Sequence, residues 1–276
     1  MQSFIRKIRA KAKTLNRKIV LAEGLDPRVL QAAKEITDQK IARIVLLGNE
    51  KKIREVAKKK QIKLDYKKIT IENPQTSSLK ITYAKRLHKL RRKKFLSRTE
   101  ADELIKNPNY FGTIMVELGD ADGMVTGAIS PTGESIKPAL QLLRKNEQYH
   151  KVSGLFFMVL EKQLLLFADT AITVDPTGKE LAQIAIDSAE TAKRFEIKPK
   201  IALLSFSTKG SSKDKSTKKI QKALNVLKSK RPDLIADGEL QVDAALVPEI
   251  AKAKNPKSKI KGDANILIFP DLNSGN

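Results

Sequence analysis

The stretch KIVLAEGLDPRVLQAA, residues 18–33, sets a strand and the start of a helix side by side. Residues 18–21 form a short apolar run of strand length, whereas from Pro27 to Thr37 the apolar residues return at helical spacing. Asp26 has the carboxylate that caps a helix N-terminus, and Pro27 supplies the fixed φ of a first helical residue. The same order recurs downstream, with a strand at 42–47 closed by Gly48, a helix at 51–60, an extended run at 69–72 and a helix at 78–93. Short apolar runs alternating with longer amphipathic ones are the pattern of βα units, so the chain is predicted to be α/β with mostly parallel sheets.

SRTEADELI, residues 97–105, puts Ser97 and Glu100 at capping-box spacing. In YFGTIMVELGD, residues 110–120, Phe111, Ile114, Met115 and Leu118 share one helical face, and Gly119 suits the helix end. A strand at 124–128 and a helix at 135–144, with Pro138 in its first turn, complete this half. The polar stretch RKNEQYHK, residues 144–151, reads as a boundary, dividing the chain into domains 1–147 and 148–276. Beyond it come strands at 154–160 and 164–172 joined by a tight turn, a long helix at 179–195, a strand at 201–206, a helix at 215–228, an extended run at 240–244 and a helix at 249–254. Residues 266–269 are apolar on both faces, as in a central parallel strand, which helices must cover on each side. A βα series is not expected to finish on such a strand, so at least one further C-terminal element is expected.

Composition narrows the function classes. A chain of 276 residues, 41% hydrophobic and 31% charged, is a folded globular protein of two ordinary domains. With no cysteine it has no disulfide, thiolate metal site or cysteine nucleophile, and a reducing cytoplasm is the expected setting. No apolar run approaches the length of a membrane span. The N-terminus, with Phe4, Ile5 and Ile8, reads as an amphipathic surface helix, a transit or membrane-surface segment being the alternative. The net charge of +23 raises the possibility of a nucleic-acid partner. However, the basic runs at 51–60, 85–94 and 218–230 carry apolar residues at helical spacing, and aromatics are only 5%, so these runs read as solvated helix faces. His88 and His150 have no partners at ligand spacing, and no metal is expected.

Three stretches carry candidate chemistry. GDADGMVTGAIS, residues 119–130, flanks a four-residue apolar core with glycines, which suits either close approach to a ligand at the sheet edge or a tight turn on each side of a buried strand. LLSFSTKGSSK, residues 203–213, runs a strand into Ser207, Thr208, Lys209, Gly210 and Ser211, which reads as an anion cradle of N–H groups plus one cation or as a solvated loop. FADTAITVDPTGKELA, residues 167–182, places Asp169 and Asp175 where a strand gives way to a helix, with Asp175 and Pro176 as a turn and Thr177 as a cap.

Taken in order, KIVLAEGLDPRVLQAA, FGTIMVELGDADGMVTGA, KPALQ, FFMVL, FADTAITVDPT, LLSFSTKGS and the stretch from Val242 to Asn276 resemble the phosphotransacetylases, which interconvert acetyl-CoA and phosphate with CoA and acetyl phosphate. The resemblance implies two three-layer α/β/α domains with an interdomain cleft, usually in a homodimer. It implies direct attack of the CoA thiol in a ternary complex, with CoA as substrate and no cofactor. It assigns Arg91 to substrate and CoA anions, although Phe95 stands where the family motif has glycine. Thr126 holds the place of a serine, Lys137 that of an arginine, and Ser207, Thr208, Lys209 and Gly210 belong to the binding set. In the family, PDLNSGN continues into a segment carrying a serine-arginine pair and an aspartate taken as the base; these lie beyond Asn276, and this chain is expected to be impaired without them. A phosphate butyryltransferase, or a non-catalytic CoA or nucleic-acid binder, is the alternative; ADGMVTGA favours the acetyl enzyme.

Overall fold

The computed structural model describes residues 2–143 and 152–276; the predicted boundary at 144–151, with His150, lies outside the described residues. The described chain falls into two compact units, one on each side of that stretch.

The first unit runs α1 (Gln2–Leu15), β1 (Lys18–Leu21), α2 (Pro27–Asp38), β2 (Arg43–Leu47), α3 (Glu50–Lys59), β3 (Ile69–Glu72), α4 (Lys80–Arg91), α5 (Arg98–Leu104), α6 (Pro108–Leu118), β4 (Gly123–Val125) and α7 (Thr132–Leu142). Its sheet, in the order β3-β2-β1-β4, is parallel throughout. Strand alternation sends Val20, Ala22, Val45 and Leu47 to one face, against Leu87 of α4, Ile105 after α5 and Phe111 of α6. Leu21, Ile44 and Leu46 go to the other, against Leu30 of α2 and Ile53 of α3. Asp26 caps α2 by accepting Arg28 N–H at 2.7 Å, with Pro27 first in the helix, and Ser97 and Glu100 form the capping box of α5.

The second unit runs β5 (Leu155–Val159), β6 (Leu164–Ala168), α8 (Gly178–Arg194), β7 (Lys200–Leu204), α9 (Lys215–Lys230), β8 (Ile235–Leu240), α10 (Val242–Leu246), α11 (Pro248–Lys254), β9 (Ile266–Ile268) and the single turn α12 (Leu272–Gly275). The sheet order is β5-β6-β9-β7-β8, with β5 antiparallel to β6 and the other pairs parallel. As its two-sided apolar pattern required, β9 is central and fully buried. One face packs on α8 and α9 through Leu181, Ile184, Ile220 and Leu227; the other is covered by Ala244, Ala245 and Ile260.

Several predicted elements are shorter or different. The strand expected at 164–172 stops at Ala168, because the Asp169 carboxylate takes the N–H groups of Ala171, Ile172 and Thr173 and turns the chain. The strand at 124–128 stops at Val125, since Gly127 has φ +98 and the following N–H groups bond to Glu23. The helix at 78–93 ends at Arg91 and tightens into a 3-10 turn, Arg92–Lys94, with Phe95 left-handed at φ 62. The extended run at 240–244 is corrected: the strand is Ile235–Leu240, and Val242–Leu246 is helical. Pro138 sits inside α7, not in its first turn, because the helix begins at Thr132.

Candidate functional site

In an open parallel sheet the loops after the strands' carboxyl ends are where a ligand is met. In the first unit this is the edge of Glu23, beyond β1, and residues 126–130, beyond β4. The Glu23 carboxylate accepts three successive N–H groups, from Ala128 at 2.5 Å, Ile129 at 3.1 Å and Ser130 at 2.8 Å. Partial burial works against its charge, but the N–H bonds from Ser130, Ala128 and Ile129 outweigh it and hold the carboxyl below the usual glutamate value. Gly24 lets the turn after β1 pack on the end of β2: a Cβ there would stand 2.6 Å from the Leu47 carbonyl oxygen. Arg28 fixes the same loop from its other side, donating Nη2 to the Ala128 carbonyl at 2.6 Å while its guanidinium draws Asp26 down to about 2.

The first turn of α6 bears on two of the three residues expected in this unit, Thr126 and Arg91. Buried Asn109 accepts the Thr126 hydroxyl at 2.6 Å. Tyr110 donates its hydroxyl to Gln141 at 2.9 Å, one helical turn beyond exposed Lys137 on α7. Burial pushes the Tyr110 phenol up and the charge of Arg91, at the end of α4, opposes that shift, which places Arg91 beside it. Thr126 is therefore bonded to the Asn109–Tyr110 turn and the charge of Arg91 acts on it, whereas exposed Lys137 shares only the helix that Tyr110 bonds; neither Asn109 nor Tyr110 stood out in the sequence. Asn107 at the helix-cap position and Pro108 after it are the local signals of where this turn begins.

In the second unit Ser207, Thr208, Lys209 and Gly210 lie beyond β7, beside edge strand β8. The Ser207 hydroxyl is 3.3 Å from Glu239 and 3.0 Å from the Ser211 hydroxyl. Thr208 exchanges bonds with Gln241, and Gly210 N–H donates to Glu239 at 2.7 Å. The Lys209 ammonium is committed to Asp237 and to the Gly238 carbonyl. Every N–H from Ser207 to Ser212 finds an acceptor inside the protein. The expected cradle is thus turned inward, and the anion it holds is Glu239, which is 1% exposed. Glu239 and Asp237 lie some 30 residues from the loop they hold, so local reading had no means of pairing them with it.

Asp169, 2% exposed, takes four N–H bonds, from Gly154, Ala171, Ile172 and Thr173, and so shapes the turn after β6. Asp175 is an exposed ion-pair partner of Lys219 at 2.7 Å, and Thr177 caps α8 in a capping box with Glu180. Among the described residues no group of three or more histidine, aspartate or glutamate side chains is placed to hold a metal ion.

Comparison with known proteins places the chain in a family. The family model for phosphate acetyl/butaryl transferase matches residues 3–276. The chain is 43% identical over 272 residues to the phosphate acetyltransferase of Clostridium acetobutylicum, across 96% of this chain and 81% of that protein. It is 42% identical to the phosphate acetyltransferase of Bacillus subtilis, across 94% of this chain and 79% of that protein. A phosphotransacetylase crystal structure from Streptococcus pyogenes is similar at TM-score 0.90 and 41% identity, covering 100% of this chain and 84% of that one. The chain belongs to the phosphate acetyl/butaryl transferase family.

Proposed function

We propose that this chain transfers an acetyl group reversibly between CoA and inorganic phosphate: acetyl-CoA and phosphate give CoA and acetyl phosphate. The observation that carries this reading is the 42–43% identity, over nearly the whole chain, to two proteins named phosphate acetyltransferase. In the direction of thioester formation the CoA sulfur attacks the acetyl carbonyl and loses its proton. The C–S bond forms, and the C–O bond to phosphate breaks as the tetrahedral intermediate collapses. A thiol with an ordinary pKa of about 8.5 is largely protonated near neutrality, so this step benefits from a base, and the oxyanion and phosphate benefit from donors.

Within this reading Arg91 and Lys137 attract the anionic groups of phosphate and CoA, and the Thr126 hydroxyl, with its proton on Asn109, fixes the loop between them. Ser207, Thr208, Lys209 and Gly210 give the second unit a rigid binding edge. Glu23, Asp169 and Glu239 act as loop anchors and not as the base for the thiol: each holds N–H or O–H donors of the loop beside it. CoA is a substrate, no metal or prosthetic group takes part, and the working form is a cytoplasmic homodimer. No described helix is long and apolar enough to cross a membrane.

The deciding assay follows thioester absorbance from acetyl phosphate and CoA with the purified chain, against a no-protein control and a butyryl phosphate arm. Enzyme-dependent thioester that saturates in both substrates, formed at the reduced rate of an impaired chain and fastest with acetyl phosphate, is the expected result. A trace that matches the control in both arms sinks the proposal.

A further inference from the structure

Asp237, which holds Lys209, also forms the floor of a cavity in the second unit. The carboxylate is 5% exposed and is saturated. Its Oδ1 takes the Lys209 ammonium and the Gly238 N–H, and its Oδ2 takes Asn255 at 3.1 Å and the buried Ser258 hydroxyl at 2.5 Å. The cavity beside it is about 440 Å³, a size that small-molecule sites have. Its lining includes four lysines, Lys209, Lys228, Lys257 and Lys259, against the one carboxylate, a net charge of +3. Among the described residues Lys228, Lys257 and Lys259 are in no ion pair. Three uncompensated ammonium groups around one concavity raise the positive potential inside it and favour a multiply charged anion.

Another basic cavity, at the amino ends of β1 and β2, is lined by Lys18, Lys40 and Arg43, but none of the residues lining it belongs to a candidate-site loop. Here Lys209 belongs to both cavity and loop. Its backbone N–H donates to the Glu239 carbonyl, its side chain seals Asp237, and Lys209 and Gly210 are both left-handed, at φ 48 and 83. A lysine in that region is held there against a backbone preference by the bonds around it.

We propose that this cavity binds a small anion bearing two or more phosphoryl groups, and that its occupancy draws the Lys209 ammonium from Asp237 and loosens the turn at 205–212. The anion gains a fourth cation by doing so, and the turn loses one of the bonds that keep it left-handed. The assignment rests on the acetyl-transfer reading only for its meaning in catalysis, not for the binding itself.

The test uses the full chain and inorganic pyrophosphate. Calorimetry at fixed ionic strength is run on the unaltered protein and on the double variant Lys228→Gln/Lys259→Gln, with orthophosphate as a second ligand. Hydrogen exchange of peptides spanning 205–212 is followed with and without pyrophosphate. Saturable pyrophosphate binding, weaker for orthophosphate and reduced at least tenfold in the double variant, with faster exchange in the loop, is the expected outcome. No saturable binding, or binding that the double variant leaves unchanged, overturns the site; binding without any change in loop exchange overturns the coupling. Neither readout needs turnover, so a chain without acetyltransferase activity still puts the cavity to the test.

Discussion

Glu23 and Glu239 do one job in the two units under different conditions. Each is a carboxylate on or just past one parallel strand that holds the loop beyond the carboxyl end of the neighbouring strand. Glu23 is half-buried and meets three N–H groups on exposed or half-exposed residues, so water can replace its bonds when they open. Glu239 is 1% exposed and lies against the fully buried Ser207 hydroxyl as well as the Gly210 N–H. One anchor is a clasp open to water; the other is part of the interior. Burial, not the number of bonds, decides which.

The contrast is tested most directly at Glu239. Glu239→Ala removes the acceptor of the Gly210 N–H and leaves the buried Ser207 hydroxyl with Ser211 alone to accept its proton, and stability should fall by about 3 kcal/mol in denaturant titration. Equal losses for Glu239→Ala and Glu23→Ala would remove the distinction. Glu23→Gln keeps the shape and one acceptor, and should lower stability near pH 7 by about 1 kcal/mol. The sign with pH follows from the lowered folded value: the charged Glu23 stabilises above its unfolded value, and that contribution fades as pH falls through the folded one. Stability curves of the unaltered protein and Glu23→Gln should therefore converge in acid; parallel curves would contradict the clasp.

Two smaller effects concern the first unit's edge. Lys137→Arg restores a planar two-pronged donor at an exposed cationic position, and the apparent KM for phosphate should drop a few-fold with kcat little changed. An unchanged KM would remove Lys137 from phosphate binding. Phe95 is left-handed and 94% exposed, so its side chain contributes almost nothing to the core while its backbone sits where glycine is favoured. Phe95→Gly should leave stability unchanged or raise it by up to about 1 kcal/mol, read as a midpoint shift in thermal unfolding.

The alternation of strands and helices, the caps at Asp26, Ser97 and Thr177, and the central place of β9 were all legible in the chain, because each depends on residues a few positions apart. Strand β8 was not. Its sequence IADGEL buries Asp237 and Glu239 among apolar positions, and buried carboxylates look like surface residues until the loop that they hold is in view. The same limit hid Glu23 and Asn109, whose partners lie 105 and 17 residues away. Where local spacing drew attention to a loop, as at 126–130 and 207–210, it named the segment and missed what fixes it.

The strand order has a consequence for how the chain is made. The first unit's four strands are all present once Val125 has been synthesised, so its sheet can close early. In the second unit β9 lies between β6 and β7, and it is the last of the five strands to leave the ribosome. At about 5–20 residues per second, the β5–β6 hairpin and the β7–β8 pair wait for seconds as separate fragments, each with an open apolar edge. The second unit is therefore the part of the nascent chain that most needs a chaperone.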